Sequence, residues 1–96
     1  MADKIEIENV GQPGKIYRVD AAKFTAMRTA VLDVLPDAAP GMPVGELIAA
    51  VKPRLPRDLF PGGDKAGWWV KSVQLDLEAK KVIARAKKPP VRLYKL

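Results

Sequence analysis

The sequence is organised around residues 60–96, FPGGDKAGWWVKSVQLDLEAKKVIARAKKPPVRLYKL. This stretch opens on a Pro-Gly-Gly break. The apolar residues that follow recur at helical spacing, which predicts one amphipathic helix over residues 65–81 with Asp64 as its N-cap. Two short apolar runs then flank a Lys-Lys-Pro-Pro turn and predict a basic β-hairpin over residues 82–96. The rest of the chain is arranged around this helix and hairpin.

The preceding residues predict another hairpin and two shorter helices. Residues 4–19 alternate apolar and charged side chains around a Gly-Gln-Pro-Gly turn, which is typical of a hairpin. An apolar stripe that begins after Asp20 and stops at Pro36 predicts the first helix, with Asp20 as its N-cap. A second helix is predicted from about Pro43 to Lys52. The proline-rich segment between these two helices is predicted to lack regular structure.

The predicted order of elements is strand, strand, helix, helix, helix, strand, strand. With 96 residues the chain forms one domain, residues 1–96, because a second core would not fit. We expect an α+β fold of the winged helix-turn-helix type. Residues 4–19 would be an extra N-terminal hairpin, residues 20–81 the three-helix core and residues 82–96 the basic wing. The connection into the third helix is longer than the turn of a tight helix-turn-helix.

Composition excludes several classes of function. The chain has no cysteine and no histidine, which removes disulfides, thiolate nucleophiles and nearly all zinc, iron and copper sites. The only serine, Ser72, has no base in the sequence pattern to activate it. We therefore expect no enzyme, no cofactor, no metal and no small-molecule substrate. The sequence has no membrane-spanning apolar run and no signal-peptide pattern, so no membrane partner and a cytoplasmic location are expected.

Positive charge is concentrated in the second half of the sequence. Residues 1–48 hold five basic and seven acidic side chains, whereas residues 49–96 hold twelve basic and four acidic ones. This asymmetry indicates a polyanionic partner for the C-terminal half. The alternative is a solubilising surface, because lysine often protects the exposed edge of a short sheet.

Duplex DNA is the polyanion that the predicted fold favours. The third helix would enter the major groove with its N-terminal half, and the hairpin cations would neutralise phosphates. The alternative for these side chains is a solvated surface, and Asp76 and Glu78 on the same helix would repel phosphate. The predicted nucleic-acid contacts are Lys65, Lys71, Ser72, Gln74, Arg85, Lys87, Lys88 and Arg92.

Two adjacent tryptophans stand at the start of the third helix. Neighbouring residues on a helix point about 100° apart, so Trp69 lies in the main apolar stripe while Trp68 lies outside it. Trp68 is then either packed under another element or exposed as an anchor at an interface. In the second case the chain is a protein-interaction or dimerisation module without DNA binding, and the partner is another protein or a second copy.

Several stretches resemble a known family. Taken together they resemble a family of small bacterial proteins of unknown function, which implies no activity and no site residues. The segments are IEIENV (5–10), RVDA (18–21), DLFPGG (58–63), KAGWW (65–69) and VQLDLEAK (73–80). Residues 73–77, 82–85 and 91–94 also look like the third helix and wing of winged-helix domains, including those at the N-termini of some restriction enzymes.

Overall fold

Residues 3–96 are described by a computed structural model with three α-helices and two small antiparallel sheets. One sheet pairs β1 with β2, and the other has the order β3-β5-β4. The predicted α+β class is therefore confirmed. The strands are β1 (Lys4–Glu8), β2 (Ile16–Asp20), β3 (Met42–Pro43), β4 (Ile83–Arg85) and β5 (Arg92–Lys95), and the helices are α1 (Ala21–Val34), α2 (Val44–Val51) and α3 (Ala66–Ala79).

The first helix forms where its pattern predicts. The Asp20 carboxylate caps α1 by accepting a hydrogen bond from the amide of Lys23 at 2.9 Å. The helix ends at Val34, and Leu35 is extended because the following proline disfavours helical geometry there. Phe24 and Met27 are buried, as expected for core residues, and α1 packs on α3. The first helix is thus confirmed at both ends.

A third strand was not predicted. The segment between α1 and α2 was expected to lack regular structure, which is wrong at its end, because Met42 pairs with Leu93 of β5. Gly41 makes this pairing possible, since its φ is +90° and a Cβ there would lie 2.3 Å from the carbonyl oxygen of Leu93. A strand of two residues is too short to show alternation in the sequence.

The third helix is shorter than its apolar pattern predicts. Asp64 is not the N-cap: its backbone is extended, and Lys65, at φ 57°, precedes the first helical residue without a side-chain cap. At the other end the helix stops at Ala79 instead of Lys81. Lys81 has a φ of 61°, and its amide bonds to the Glu78 carbonyl at 3.1 Å. A left-handed residue that ends a helix is usually glycine, so the lysine at this position did not indicate the end of α3.

The connection between α2 and α3 carries part of the core. It contains two 3₁₀ turns, Lys52–Arg54 and Pro61–Gly63. Phe60 is buried, and its ring meets that of Trp69 edge-on at 6.2 Å between centroids. The connection therefore places an aromatic side chain in the core beside α3.

The N-terminal hairpin packs on the helices and does not extend the other sheet. Its register pairs Ile7 with Tyr17 and Ile5 with Val19, so these four side chains share one face. Ile7 is buried in the core, which anchors this face against the helices. Tyr17, farther out on the same face, is partly exposed. An isolated hairpin would be marginal in water, and this packing supplies its stability.

Candidate nucleic-acid interface

Asp76 docks the N-terminal hairpin on α3. It lies three residues after Val73 and seven after Trp69, which places it on the buried side of the helix. The side chain is 2% exposed, and its Oδ1 accepts a hydrogen bond from the Glu8 amide at 2.8 Å and forms an ion pair with the Lys80 ammonium at 2.8 Å. Its burial and its pairing with Lys80 therefore reduce the repulsion of phosphate that was expected from Asp76. The spacing from the two core residues was the signal for this role.

Glu78 docks the C-terminal hairpin on the same helix. Its two carboxylate oxygens accept from the Arg85 guanidinium at 2.6 and 2.8 Å. The hydrogen bond that Arg85 donates to Glu78, and then the charge of that carboxylate, raise the pKa of Arg85 above its ordinary value, although partial burial opposes them. Alternation in β4 explains the contact, because Arg85 shares a face with the buried Ile83. Arg85 is thus already paired, which weakens its predicted role as a phosphate contact.

Gln74 does not face outward as expected. It is 6% exposed, and its amide nitrogen donates to Glu78 at 3.2 Å. The reason is again helical spacing, since Gln74 lies four residues after Val70 and three before Leu77. It therefore supports the Glu78 carboxylate, and its buried amide is not available for the predicted contact with nucleic acid.

The other predicted contacts divide into one engaged side chain and five available cations. The hydroxyl of Ser72 donates to the carbonyl of Trp68 at 3.1 Å, so it is engaged within the helix. Among residues 3–96, the ion pairs involve Arg54, Lys80, Arg85 and Lys95. The cations without such a pair in that range include Lys65, Lys71, Lys87 and Lys88, which are exposed, and Arg92, which is half-buried in β5.

The outward face of α3 is open in its first half and covered in its second. Leu75 lies about 200° around the helix from the buried Leu77, and its carbonyl accepts a hydrogen bond from the Val10 amide at 3.2 Å. The chain that follows β1 therefore lies across the second half of this face. Gly67, Trp68 and Lys71 remain exposed in the first half. A straight helix inserted along its whole length into a groove does not fit this arrangement.

Trp68 is exposed beside a groove. Its side chain is 56% exposed, and its ring meets that of Trp69 edge-on at 4.9 Å between centroids. Of the two expectations for Trp68, packed or exposed, the structure has the exposed one. The groove has a volume of about 510 Å³ and runs between the N-terminal hairpin and α3. Tyr17 and Arg18 line it from β2, which the sequence did not single out, and Trp68, Lys71 and Leu75 line it from α3.

Comparison with known proteins places the chain in a family. A family model described as a family of unknown function, DUF6958, matches residues 4–93, and the chain therefore belongs to that family. The resemblance to such a family seen in the sequence is confirmed. No curated protein and no solved structure matches the chain. Within residues 3–96, none of the helices has the length and apolarity needed to cross a membrane.

Proposed function

We propose that this member of DUF6958 is a non-catalytic winged-helix domain that binds duplex DNA, mainly through phosphate contacts. The order of elements after β2 supports the fold assignment: helix, short strand, helix, helix, strand, strand. The short strand β3 pairs with the last strand, β5, and gives a three-stranded sheet beside three helices. In a winged-helix domain the strand between the first two helices pairs with the wing in the same way.

The observation that supports the proposed function is that the available cations lie on one side of the molecule. Lys71 and Glu78 are seven residues apart on α3 and so share a face of the helix. The Glu78–Arg85 pair joins that face to the C-terminal hairpin, whose turn carries the exposed Lys87 and Lys88. One basic surface therefore extends from the first half of α3 to the hairpin turn, and DNA phosphates are its natural partner.

This surface favours phosphate contacts over base reading. Gln74 is buried, the Ser72 hydroxyl is engaged, and the chain after β1 covers α3 at Leu75. Lys71 is the exposed cation within α3 itself. Because phosphate contacts carry no base sequence information, we expect affinity that depends steeply on salt and weakly on DNA sequence.

The test is fluorescence anisotropy of a labelled duplex across a salt series. The test variant changes Lys71, Lys87, Lys88 and Arg92 to alanine. The control variant removes the same charge elsewhere, at Lys4, Lys15, Lys23 and Arg28. We expect the slope of log affinity against log salt to fall by roughly 3–4 in the test variant, because each lost phosphate contact removes about 0.9.

Two results would contradict DNA binding at this surface. One is the absence of binding at low salt. The other is an equal change of slope in the test and control variants, which would mean that only net charge matters. Arg85 is left unchanged in both variants, because its loss would also release the hairpin from Glu78.

A second candidate function is association with a protein through Trp68. The observation that favours it is the exposure of 56% of a tryptophan side chain beside a groove that also contains Tyr17. Tryptophan and tyrosine are enriched among the residues that dominate binding energy at protein interfaces. This surface lies on the hairpin β1–β2 side of α3, and among the cations of the basic surface it shares Lys71.

A further inference from the structure

The strand β2 has an edge that pairs with nothing in residues 3–96. The amide of Ala21 donates to the carbonyl of Asp3, which makes Asp3 and Ala21 a hydrogen-bonded pair in the hairpin. Such pairs alternate along an antiparallel ladder, so the backbone groups of Val19 and Tyr17 also point toward β1. Those of Ile16 and Arg18 therefore point away from it. Because β1 and β2 form a two-stranded sheet, this second edge of β2 is open.

The open edge is also the apolar part of the hairpin surface. Ile16 is 54% exposed and Tyr17 is 38% exposed, and both are on β2. Trp68, on α3, lines the same groove as Tyr17. Proteins usually protect an exposed strand edge with charge or proline, because an unprotected edge recruits another strand. Here the exposed part of β2 has one charged side chain, Arg18, beside two large apolar ones, Ile16 and Tyr17.

Charge indicates what this edge can recruit. The whole chain carries a net charge of +6, so two copies repel each other over most of their surfaces. The hairpin differs, because residues 3–20 contain three basic and four acidic side chains. The excess positive charge lies in the second half of the sequence. A second copy can therefore approach this hairpin with less repulsion than it meets elsewhere.

We infer that two copies of the chain associate through β2, edge to edge and antiparallel, to form a four-stranded sheet across a two-fold axis. Side-chain alternation limits the register. A two-fold axis perpendicular to the sheet keeps every side chain on the same face of the sheet in both copies, so a residue can face only a partner residue whose side chain is on that face. An axis beside Ile16 would lie at the end of the strand, and Val19 and Asp20 are half-buried, so the two remaining choices have Tyr17 or Arg18 facing its own counterpart. Two arginines directly opposite each other would repel, whereas two tyrosines pack. The axis therefore passes beside Tyr17.

In this dimer Tyr17 faces the partner's Tyr17, and Ile16 faces the partner's Arg18. These are the exposed positions of β2, and the half-buried Val19 and Asp20 lie at the outer end of the contact. The inference deepens the second candidate function and rests on it, since it names a second copy as the protein partner. It does not depend on DNA binding, because β2 makes the contact, whereas the cations of the basic surface lie on α3 and in the C-terminal hairpin.

The chain has no cysteine, so single introduced cysteines report the register directly. We expect Tyr17→Cys to form a disulfide-linked dimer under mild oxidation, because opposed residues in a non-hydrogen-bonded pair have Cβ atoms about 4.5–5.5 Å apart. Val19→Cys is the matched control on the same face, and it should stay unlinked. Efficient linking of Arg18→Cys alone, or equal linking at all positions, would overturn the proposed register.

Association itself is tested on the unmodified chain by sedimentation over a concentration series. We expect a monomer–dimer equilibrium that Arg18→Pro abolishes. Proline removes an amide that points to the partner, and it leaves the ladder between β1 and β2 intact. Circular dichroism would check that this variant folds. Ile16→Lys, which places a charge in the contact, should abolish the dimer as well.

A monomer at all concentrations would overturn the inference. A dimer that survives both Arg18→Pro and Ile16→Lys would also overturn it, while leaving association through Trp68 open to a test with Trp68→Ala. Salt-dependent DNA binding by a strictly monomeric chain would contradict the proposed dimer and would still support the first proposed function. The two proposals can therefore fail separately.

Discussion

The two hairpins of this protein are held against the same helix by two carboxylates only two residues apart. Asp76 holds the N-terminal hairpin and Glu78 the C-terminal one. Residues two apart on a helix point about 200° away from each other, so the hairpins lie on opposite flanks of α3. Each carboxylate contacts the strand nearer to the helix, which is β1 in one hairpin and β4 in the other.

The two contacts differ in chemistry and in burial. Asp76 is buried and accepts from a backbone amide, which fixes the position of β1 independently of any side chain there. Glu78 pairs with an arginine side chain that remains 43% exposed. The C-terminal hairpin compensates with a third strand, β3, which the N-terminal hairpin lacks. A hydrogen bond from the backbone supports one hairpin, and an ion pair together with a longer sheet supports the other.

The largest effect is expected from breaking the third strand. Gly41→Ala should destabilise the fold by about 3–5 kcal/mol, since a methyl group there adds a backbone clash to an unfavourable positive φ. That loss approaches the whole stability of a small domain, so part of the variant should be unfolded at 25 °C. Urea denaturation followed by circular dichroism would measure it.

Gly14→Ala is the matched control for that substitution. Gly14 has a φ of +86°, close to that of Gly41, but a Cβ there would meet nothing within 4 Å. The substitution should therefore lower the free energy of unfolding by about 1–2 kcal/mol, which is the cost of the positive φ alone. Equal costs at the two glycines would show that the close approach of Gly41 to β5 contributes little.

An intermediate effect is expected from removing the two carboxylates in turn. Asp76→Ala should cost about 2–3 kcal/mol, because it leaves a buried amide and an ammonium without their acceptor. Glu78→Ala should cost about 1–2 kcal/mol, because the exposed Arg85 guanidinium can return to water whereas the buried Gln74 amide loses its acceptor. Hydrogen exchange should localise the first loss to the Glu8 amide and the second to β4. A larger loss of stability from Glu78→Ala than from Asp76→Ala would contradict this order of the two carboxylates.

The smallest effect is a gain in stability at the end of α3. Lys81→Gly should stabilise the fold by about 0.5–1 kcal/mol, because glycine adopts the left-handed conformation without the cost that a side chain adds. The stop of the helix would then depend less on the hairpin that follows it. A melting temperature raised by a few degrees would confirm this. Ala79→Gly, inside the helix, should lower it instead.

Much of the fold follows from local patterns in the sequence. The Asp20 cap, the stop at Pro36 and the period-two hairpins depend on neighbouring residues alone, and they were predicted correctly. What was missed depends on contacts between distant residues. The strand β3 forms because β5 is beside it. The helix α3 ends at a left-handed residue, but that residue is Lys81 and not the glycine that would have indicated the end in the sequence.

In the candidate site too, some features follow from local sequence, whereas others depend on contacts that the sequence does not show directly. Exposed lysines in a turn are recognisable from the sequence, and Lys87 and Lys88 are exposed as expected. The roles of Gln74 and Asp76 were misjudged because a polar residue was assumed to face solvent. Their spacing from Val70, Val73 and Leu77 places them beside the core, and polar side chains remain there because partners satisfy them.

The hydrogen bond from Glu8 to Asp76 also has a consequence for how the chain is made. It joins residues 68 positions apart, and the adjoining bond from Val10 to Leu75 spans nearly as far. Synthesis proceeds from the N-terminus, so residues 4–20 leave the ribosome well before α3 does. Until then the strands have no surface to dock on, and the closure of so long a loop comes with an entropic cost. The segment that is translated first must therefore wait for one of the last helical turns before it can be fixed in place.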